Sequence, residues 1–260
     1  MKLITSKDNA DYKRAISLRQ KKYRQHHDLF LVEGVRAIMT GLQKNIMPVE
    51  VWIDERMENR YKETLSLVDI GSIRLVRSEM FDRLTQTQEA QGVLAVFSTA
   101  SLPRSVSEFM QDTIVVLDRV QDPGNAGTIV RSAAAAGCRA VWTTFGSVDI
   151  WNEKAVRSTM GSLFQIPVRT NVSIDDIAIT AAQENRSIYV ATIKNSMPYT
   201  ETKPMTRTFW VFGNEGNGVS ESMLGVANAC YHIPLNNNVE SLNVATAASV
   251  ILFHYRNLIC

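Results

Sequence analysis

Three stretches of this chain carry side chains whose types and spacing could do chemistry. Residues 117–137, LDRVQDPGNAGTIVRSAAAAG, read as a strand, a loop containing Pro123 and Gly124, and an alanine-rich helix. Asn125 is placed to cap that helix, and Arg131 falls about two turns inside it, where a long side chain can reach along the helix surface. A helix N-terminus opening from such a loop can seat an anion. Taken alone, the stretch reads more readily as an ordinary capped helix with a solvated arginine, because N-x-G-x-x-x-R is short. Residues 209–220, FWVFGNEGNGVS, read as a buried strand running into a loop with three glycines and Glu215. Glycines there permit positive φ and close approach of a ligand to the backbone, although a plain glycine-rich turn has the same composition. Residues 231–257 contain a strand ending at Pro234, three consecutive asparagines, and a helix opened by Ser241 with Asn243 in its first turn. Asparagine runs favour turns and left-handed backbone.

The elements that must position these residues alternate. Strands are predicted at 113–117, 140–143, 187–192, 208–213 and 230–233. Helices are predicted at 126–136, ended by Gly137, and at 153–159, 174–185 and 241–258. IVVL and FWVF are apolar throughout, as parallel strands covered on both faces should be. Upstream, the segment 9–25 reads as one helix with a densely basic exposed face formed by Lys13, Arg14, Arg19, Lys21, Lys22 and Arg24, with only Ala15, Ile16 and Leu18 as apolar residues. Strands at 30–34, 49–53, 73–76 and 93–97, with helical material at 35–43, 58–67 and 78–85, imply a small α/β domain. STASLPRSV, at 98–106, reads as a linker. Two domains follow, 1–105 and 106–260, a division consistent with a length of 260 residues.

Composition narrows the class. With 45% apolar and 21% charged residues the chain reads as an ordinary globular protein, not a disordered one. The net charge of +2 is unevenly spread: through residue 105 there are 17 Lys and Arg against 13 Asp and Glu, and beyond it 11 against 13. A basic module joined to a slightly acidic one suits a first part that meets a polyanion and a second that does chemistry. Cys138, Cys230 and Cys260 show no C-x-x-C spacing, and His26, His27, His232 and His254 form no ligand pattern, so no metal is assigned and a cytoplasmic setting is expected. No signal peptide and no membrane-length apolar run is read.

The order of the three stretches resembles that of the SpoU/TrmH family of RNA ribose methyltransferases, within the SPOUT superfamily. Asn125, Gly127 and Arg131 match its N-x-G-x-x-x-R motif; residues 212–218 match F-G-x-E-G-x-G; and Ile233, Pro234 and residues 241–244 match I-P-x…S-L-N-V. KAVRSTMGSLFQIPV, at 154–168, is similar to the family's intermediate segment. FLVEG and QGVLAVF are similar to the small ribosomal-protein-like domain that many members carry in front, so the likeness covers nearly the whole chain. Asn237 stands where glycine is common, a change that a residue tolerant of positive φ accommodates, and Ala245 replaces a frequent serine.

The resemblance implies an α/β fold: a small RNA-binding α/β domain followed by a trefoil-knotted domain with a parallel sheet. It also implies S-adenosylmethionine as cofactor, held around Gly213, Asn214, Gly218, Ile233 and Leu242 with Thr192 as a further contact. It implies a homodimer acting on RNA, ribosomal RNA in preference to transfer RNA, with methyl transferred to a ribose 2′-hydroxyl. Arg131, Asn125, Glu215, Ser241 and Asn243 are the implied catalytic set. Two roles are open for Arg131: general base, or a cation that binds a neighbouring phosphate and stabilises the developing alkoxide. The implied task of the basic N-terminal helix is phosphate tracking. Two other readings are a catalytically silent RNA-binding or ribosome-assembly factor, against which the intact motif residues speak, and a nucleotide-dependent α/β enzyme, against which the absent Rossmann and Walker patterns speak.

Overall fold

The computed structural model describes residues 3–61, 63, 66–85, 91–106, 108–236 and 239–259. The chain divides into two compact units, Met1–Leu102 with Trp151–Phe164, and Pro103–Ile150 with Gln165–Cys260. Residues 151–164 thus pack with the first unit, although they lie inside the stretch read from sequence as the second domain.

The first unit is built on a five-stranded mixed sheet. Its elements are β1 (Leu3–Ile4), α1 (Ala10–Ser17), α2 (Lys21–His27), β2 (Leu29–Glu33), α3 (Val35–Gln43), β3 (Glu50–Asp54), β4 (Ile73–Val76), α4 (Ser78–Leu84) and β5 (Val93–Ser98), in sheet order β1-β4-β3-β5-β2. β2 and β3 run antiparallel to β5, while β4 runs parallel to β3 and β1. The single basic helix read over 9–25 is two helices, because the chain turns at 18–20. Asn9 caps the first, its side chain accepting the Tyr12 N–H at 3.0 Å. Nor is that first helix merely a solvated face. Tyr12, Ala15 and Leu18, spaced three apart on one stripe, are buried against Trp52, Phe81 and Leu94. Tyr12 also anchors the core by donating to the Met80 carbonyl at 2.9 Å. Between β3 and β4 the described residues include short 3-10 turns at Glu55–Met57, Asn59–Tyr61 and Ile70–Ser72, while the middle of the helix read at 58–67 lies largely outside the described residues.

The returning segment adds a short helix, Glu153–Ser158, and a 3-10 turn, Ser162–Phe164. Phe164 packs on Phe97 with ring centroids 4.7 Å apart, and Trp151 on Phe30 at 5.3 Å.

The second unit is a seven-stranded sheet, parallel at every pairing. In chain order it comprises β6 (Gln111–Asp118), α5 (Pro123–Ala135), β7 (Cys138–Thr144), β8 (Val168–Val172), α6 (Ile174–Glu184), β9 (Ser187–Ala191), β10 (Met197–Pro198), β11 (Arg207–Gly213), α7 (Glu221–Gly225), β12 (Ala229–His232) and α8 (Val244–Ile259). The sheet order is β10-β12-β9-β11-β6-β7-β8. Alternate residues of the central strands feed two cores. Ile114, Val116, Ile188, Val190, Phe209 and Val211 meet Ile177 and Ala181 of α6. On the other face, Trp210 lies edge-on to Tyr255 of α8 with centroids 5.8 Å apart. Fully burying a side chain of this size stabilises by about 1.5–3 kcal/mol. The Tyr255 hydroxyl sits on Met205, donating to its carbonyl and accepting its N–H, both at 2.9 Å. α8 also packs on α5, where the Ser132 and Ser249 hydroxyls meet at 2.7 Å.

Starting from β6, the chain builds outward on one side through β7 and β8, and fills the other side with β11, β9, β12 and β10. In open parallel sheets the crevice beyond the carboxyl ends of strands, near such a reversal, is where ligands bind.

Candidate active site

Beyond the carboxyl ends of β9, β11 and β12 lies a cavity of about 580 Å³, within the range of about 300–1,000 Å³ usual for small-molecule sites. Its walls are the three loops leaving those strands plus the first turns of α8. Thr192, Gly213, Asn214, Gly218, Ile233 and Leu242, the six residues given a cofactor role from sequence, all line it, as do Glu215, Ser241 and Asn243.

The 214–218 loop closes on itself. Asn214 and Gly218 exchange backbone hydrogen bonds at 3.0 and 2.9 Å, and the Asn214 side-chain oxygen accepts the N–H groups of Gly216 and Asn217. Two glycines make the closure possible. A Cβ on Gly213 would fall 2.4 Å from Gly218 carbon and Val219 nitrogen, and Gly218 holds φ +69° with open space beside it. The loop is tied to its neighbour by Asn214 Nδ2, which donates to the Arg119 carbonyl at 2.9 Å. Behind it, buried Asp118 accepts the Ser220 N–H at 2.7 Å and lies 3.1 Å from the Thr144 hydroxyl.

Glu215 faces the loop between β6 and α5. It accepts the backbone N–H groups of Gln121 and Asp122, both at 3.1 Å, and the Asn125 side-chain N–H at 2.9 Å. Burial alone would raise this carboxyl; the Asn125 amide and the backbone donors of Gln121 and Asp122 outweigh it and hold the group below the ordinary glutamate value. Asn125 turns its other end to Asn243, whose Nδ2 donates to Asn125 Oδ1 at 2.9 Å. Asn243 Oδ1 accepts the N–H groups of Ala245 and Thr246. Glu215, Asn125 and Asn243 therefore form one chain of hydrogen bonds linking the three stretches singled out from sequence.

Two cap assignments are corrected. Asp122, not Asn125, caps α5, accepting the Asn125 N–H at 2.8 Å with Pro123 at the first helical position. This leaves the Asn125 side chain free for Glu215 and Asn243. The signal for it, an acidic residue directly before a proline that opens a helix, was present in the sequence. Asn243 precedes α8 and caps it, instead of standing in its first turn, and Ser241 lies in the loop before it. Asn237 lies outside the described residues. The Ala245 methyl is buried, so its place in the fold requires no hydroxyl.

Arg131 is exposed on α5, does not line the cavity, and has no hydrogen bond or ion pair among the described residues. The six basic residues of the N-terminal segment behave unequally. Arg24 is buried and donates to the Leu18 and Arg19 carbonyls at 2.7 and 2.8 Å. Arg14 is paired with Asp11 and with buried Glu50, and Arg19 donates to the Arg83 carbonyl. Lys13 is paired with Asp8 at the surface, and Lys21 and Lys22 are exposed. The expectation of one continuous basic face is corrected accordingly: half of its charges are occupied in holding α1, α2 and their surroundings together.

The cavity suits a nucleoside-bearing cofactor. Gly213 lines it where the loop's own backbone leaves no room for a Cβ, its apolar lining includes Ile233, Leu235 and Leu242, and Lys194, His232 and Glu240 add polar groups that carried no role in the sequence reading. Among the described residues no cluster of His, Cys, Asp or Glu could hold a metal ion, and no helix is long and apolar enough to cross a membrane.

A parallel sheet with three motif loops gathered at one cavity defines a methyltransferase of the SPOUT type, and residues 112–253 match the model of the SpoU rRNA Methylase family. The chain belongs to that family. Residues 9–95 match the MRM3-like substrate binding domain. The chain is 32% identical to the 23S rRNA (guanosine(2553)-2′-O)-methyltransferase RlmP of Bacillus subtilis, across 98% of this chain and 100% of that protein. It is 26% identical to the mouse mitochondrial rRNA methyltransferase 3, across 91% of this chain and 69% of that one. Among solved structures, the AdoMet-bound rRNA methyltransferase from Sinorhizobium meliloti superposes with a TM-score of 0.85 at 26% identity, covering 100% of this chain and 98% of that one.

Proposed function

We propose that this protein transfers the methyl group of S-adenosylmethionine to a ribose 2′-hydroxyl of ribosomal RNA. The observation that carries this reading is the Glu215–Asn125–Asn243 chain beside a cavity lined by all three motif loops, in a family member whose full-length relative is a 23S rRNA 2′-O-methyltransferase. Bound there, the cofactor supplies an electrophilic methyl on sulfur. Gly213, Ile233 and Leu242 offer backbone and apolar contacts for it, with Thr192, Asn214 and Gly218 closing the sides. Glu215 and Asn125 fix the loop against α5, and Ser241 and Asn243 hold the third loop beside it. Holding two reactants in line supplies much of the acceleration in such a transfer.

Arg131 serves the acceptor side, as general base or as a cation facing a phosphate and the developing alkoxide. Its exposure and its place off the cavity lining support a homodimer in which each arginine completes the partner's site. The threading of a trefoil knot belongs to the same reading; α8 returning onto α5 supports it. So does the assignment of RNA capture to the first unit and chemistry to the second, in a cytoplasmic protein.

The test is direct. Incubation with tritiated S-adenosylmethionine and total ribosomal RNA is expected to label the RNA, with a single new 2′-O-methyl site found by mapping RNA from cells with and without the gene. Cofactor binding without label in any RNA would leave the catalytically silent reading in its place.

A further inference from the structure

The first unit contains a second cavity, of about 670 Å³, at the junction of β2 and α3. Its lining includes Gly34, Arg36, Arg60, Tyr61, Gln91 and Met160. We propose that this cavity receives one unpaired nucleotide of the RNA substrate, its phosphate between Arg36 and Arg60 and its base within. The proposal rests on the RNA-methyltransferase reading and adds to it the place where the first unit grips RNA.

Charge comes first. Arg36 and Arg60 are both exposed, and neither is paired with a carboxylate among the described residues; Arg60 lies only over the Tyr61 ring, 5.8 Å from its centroid. They contrast with Arg14 and Arg24, which the fold has consumed. Glu33 also reaches this cavity, but its carboxylate is turned inward, accepting the Thr85 hydroxyl at 2.9 Å and lying 3.9 Å from Arg157. Arg157 also lines the cavity, beside Glu33; the two guanidiniums there with no carboxylate neighbour among the described residues are Arg36 and Arg60, each a planar fork of donors suited to phosphate.

The interior supplies the rest. Gln91 Oε1 accepts the Val35 N–H at 3.2 Å, which leaves its amide N–H groups without a partner among the described residues and able to donate to a base edge. The Tyr61 hydroxyl donates to the Gln91 carbonyl, fixing this wall. Val35, Ala37 and Met160 add apolar surface. A cavity lined by unpaired cations, an amide and apolar side chains matches a nucleotide flipped from a loop or bulge, the form in which RNA exposes its bases to proteins.

The experiment uses the full chain, the Arg36→Ala/Arg60→Ala double variant and, separately, Arg60→Glu. RNA affinity is measured by filter binding against ribosomal RNA over a salt series, and cofactor affinity by calorimetry. The double variant is expected to lose about 10-fold or more in RNA affinity and to show a shallower salt dependence by about one phosphate contact, with cofactor affinity and melting temperature unchanged. Photo-crosslinking with 4-thiouridine-substituted RNA is expected to label the peptides containing Tyr61 or Met160. RNA binding by the double variant within twofold of wild type, or crosslinks confined to the second unit, would overturn the proposal. The two readings fail separately. Methylation by wild type together with unimpaired binding by the variant removes the pocket and keeps the activity. Arginine-dependent binding with no methylation of any RNA keeps the pocket and removes the activity.

Discussion

Asn125 donates its side-chain N–H to Glu215 at 2.9 Å, joining the first turn of α5 to a loop 90 residues further along the chain. Glu215 collects two backbone N–H groups from the same loop, so a carboxylate that accepts only is the side chain this position needs. Glu215→Gln brings an amide N–H toward those donors. It is expected to lower stability by about 1 kcal/mol, with a double-mutant cycle against Asn125→Ala giving a coupling of similar size. Urea denaturation of the four proteins measures both, and additivity of the two substitutions would dissolve the link.

The same carboxylate sets a pH dependence. Its native value is lowered below the reference of 4.5, so its contribution to stability is complete above that value and is lost as pH falls through the lowered native one. The stability difference between wild type and Glu215→Ala is therefore expected to stay constant from pH 7 to about 5 and to shrink below it. Denaturation curves at stepped pH check this; a difference that grows on acidification contradicts it.

Gly213 and Gly216 separate two uses of glycine in one loop. A Cβ at Gly213 meets backbone at 2.4 Å, whereas at Gly216 the nearest atom is a side-chain oxygen of Asn214 at 3.7 Å. Gly213→Ala is expected to destabilise by about 1–3 kcal/mol and to abolish cofactor binding, while Gly216→Ala stays within about 0.5 kcal/mol of wild type. Thermal melts with and without S-adenosylhomocysteine make the comparison.

Arg131 has no partner among the described residues, so Arg131→Ala should leave the melting temperature unchanged while methyl transfer falls about 100-fold or more. Arg131→Lys divides its two roles. A general base is replaced by a group that can titrate, giving activity that rises with pH, whereas a bidentate phosphate clamp stays impaired at every pH. Single-turnover rates from pH 6 to 10 read this out.

Arg24 is expected to behave in the opposite way. It donates to two carbonyls from a buried position, so Arg24→Ala should cost about 1–3 kcal/mol, and RNA affinity should be unaffected once the variant is assayed below its melting temperature. Lys21→Ala and Lys22→Ala should leave stability within about 0.5 kcal/mol. A stable Arg24→Ala protein with weakened RNA binding would return that residue to the binding face.

The sequence made the parallel sheet legible because strands such as IVVL and FWVF, buried on both faces, have no polar side chains to disguise them. β8, VRTNV, escaped because it is an edge strand with alternate residues exposed, and so carries no apolar run. The break between α1 and α2 escaped for a different reason: LRQKK contains neither Pro nor Gly, and the turn there is set by tertiary packing of Leu18. At the cavity, the residues legible beforehand were those in contiguous motif loops. The backbone donors of Gln121 and Asp122 were not, because a backbone N–H leaves no mark on residue type and its acceptor lies more than 90 positions away.

The return of residues 151–164 to the first unit has a consequence for how the molecule is made. The chain leaves that unit after Leu102, lays down β6, α5 and β7, and goes back before starting β8. Phe97 waits for Phe164, and Phe30 for Trp151. On a ribosome, the first unit cannot seal its core until the 48 residues from Pro103 to Ile150 of the second have already been synthesised, and at that moment the second still lacks β8 to β12. The two units therefore mature interleaved, not in succession. A cut near residue 103 would leave the first piece without Trp151 and Phe164, and leave the second piece carrying both with no Phe30 or Phe97 to pack on.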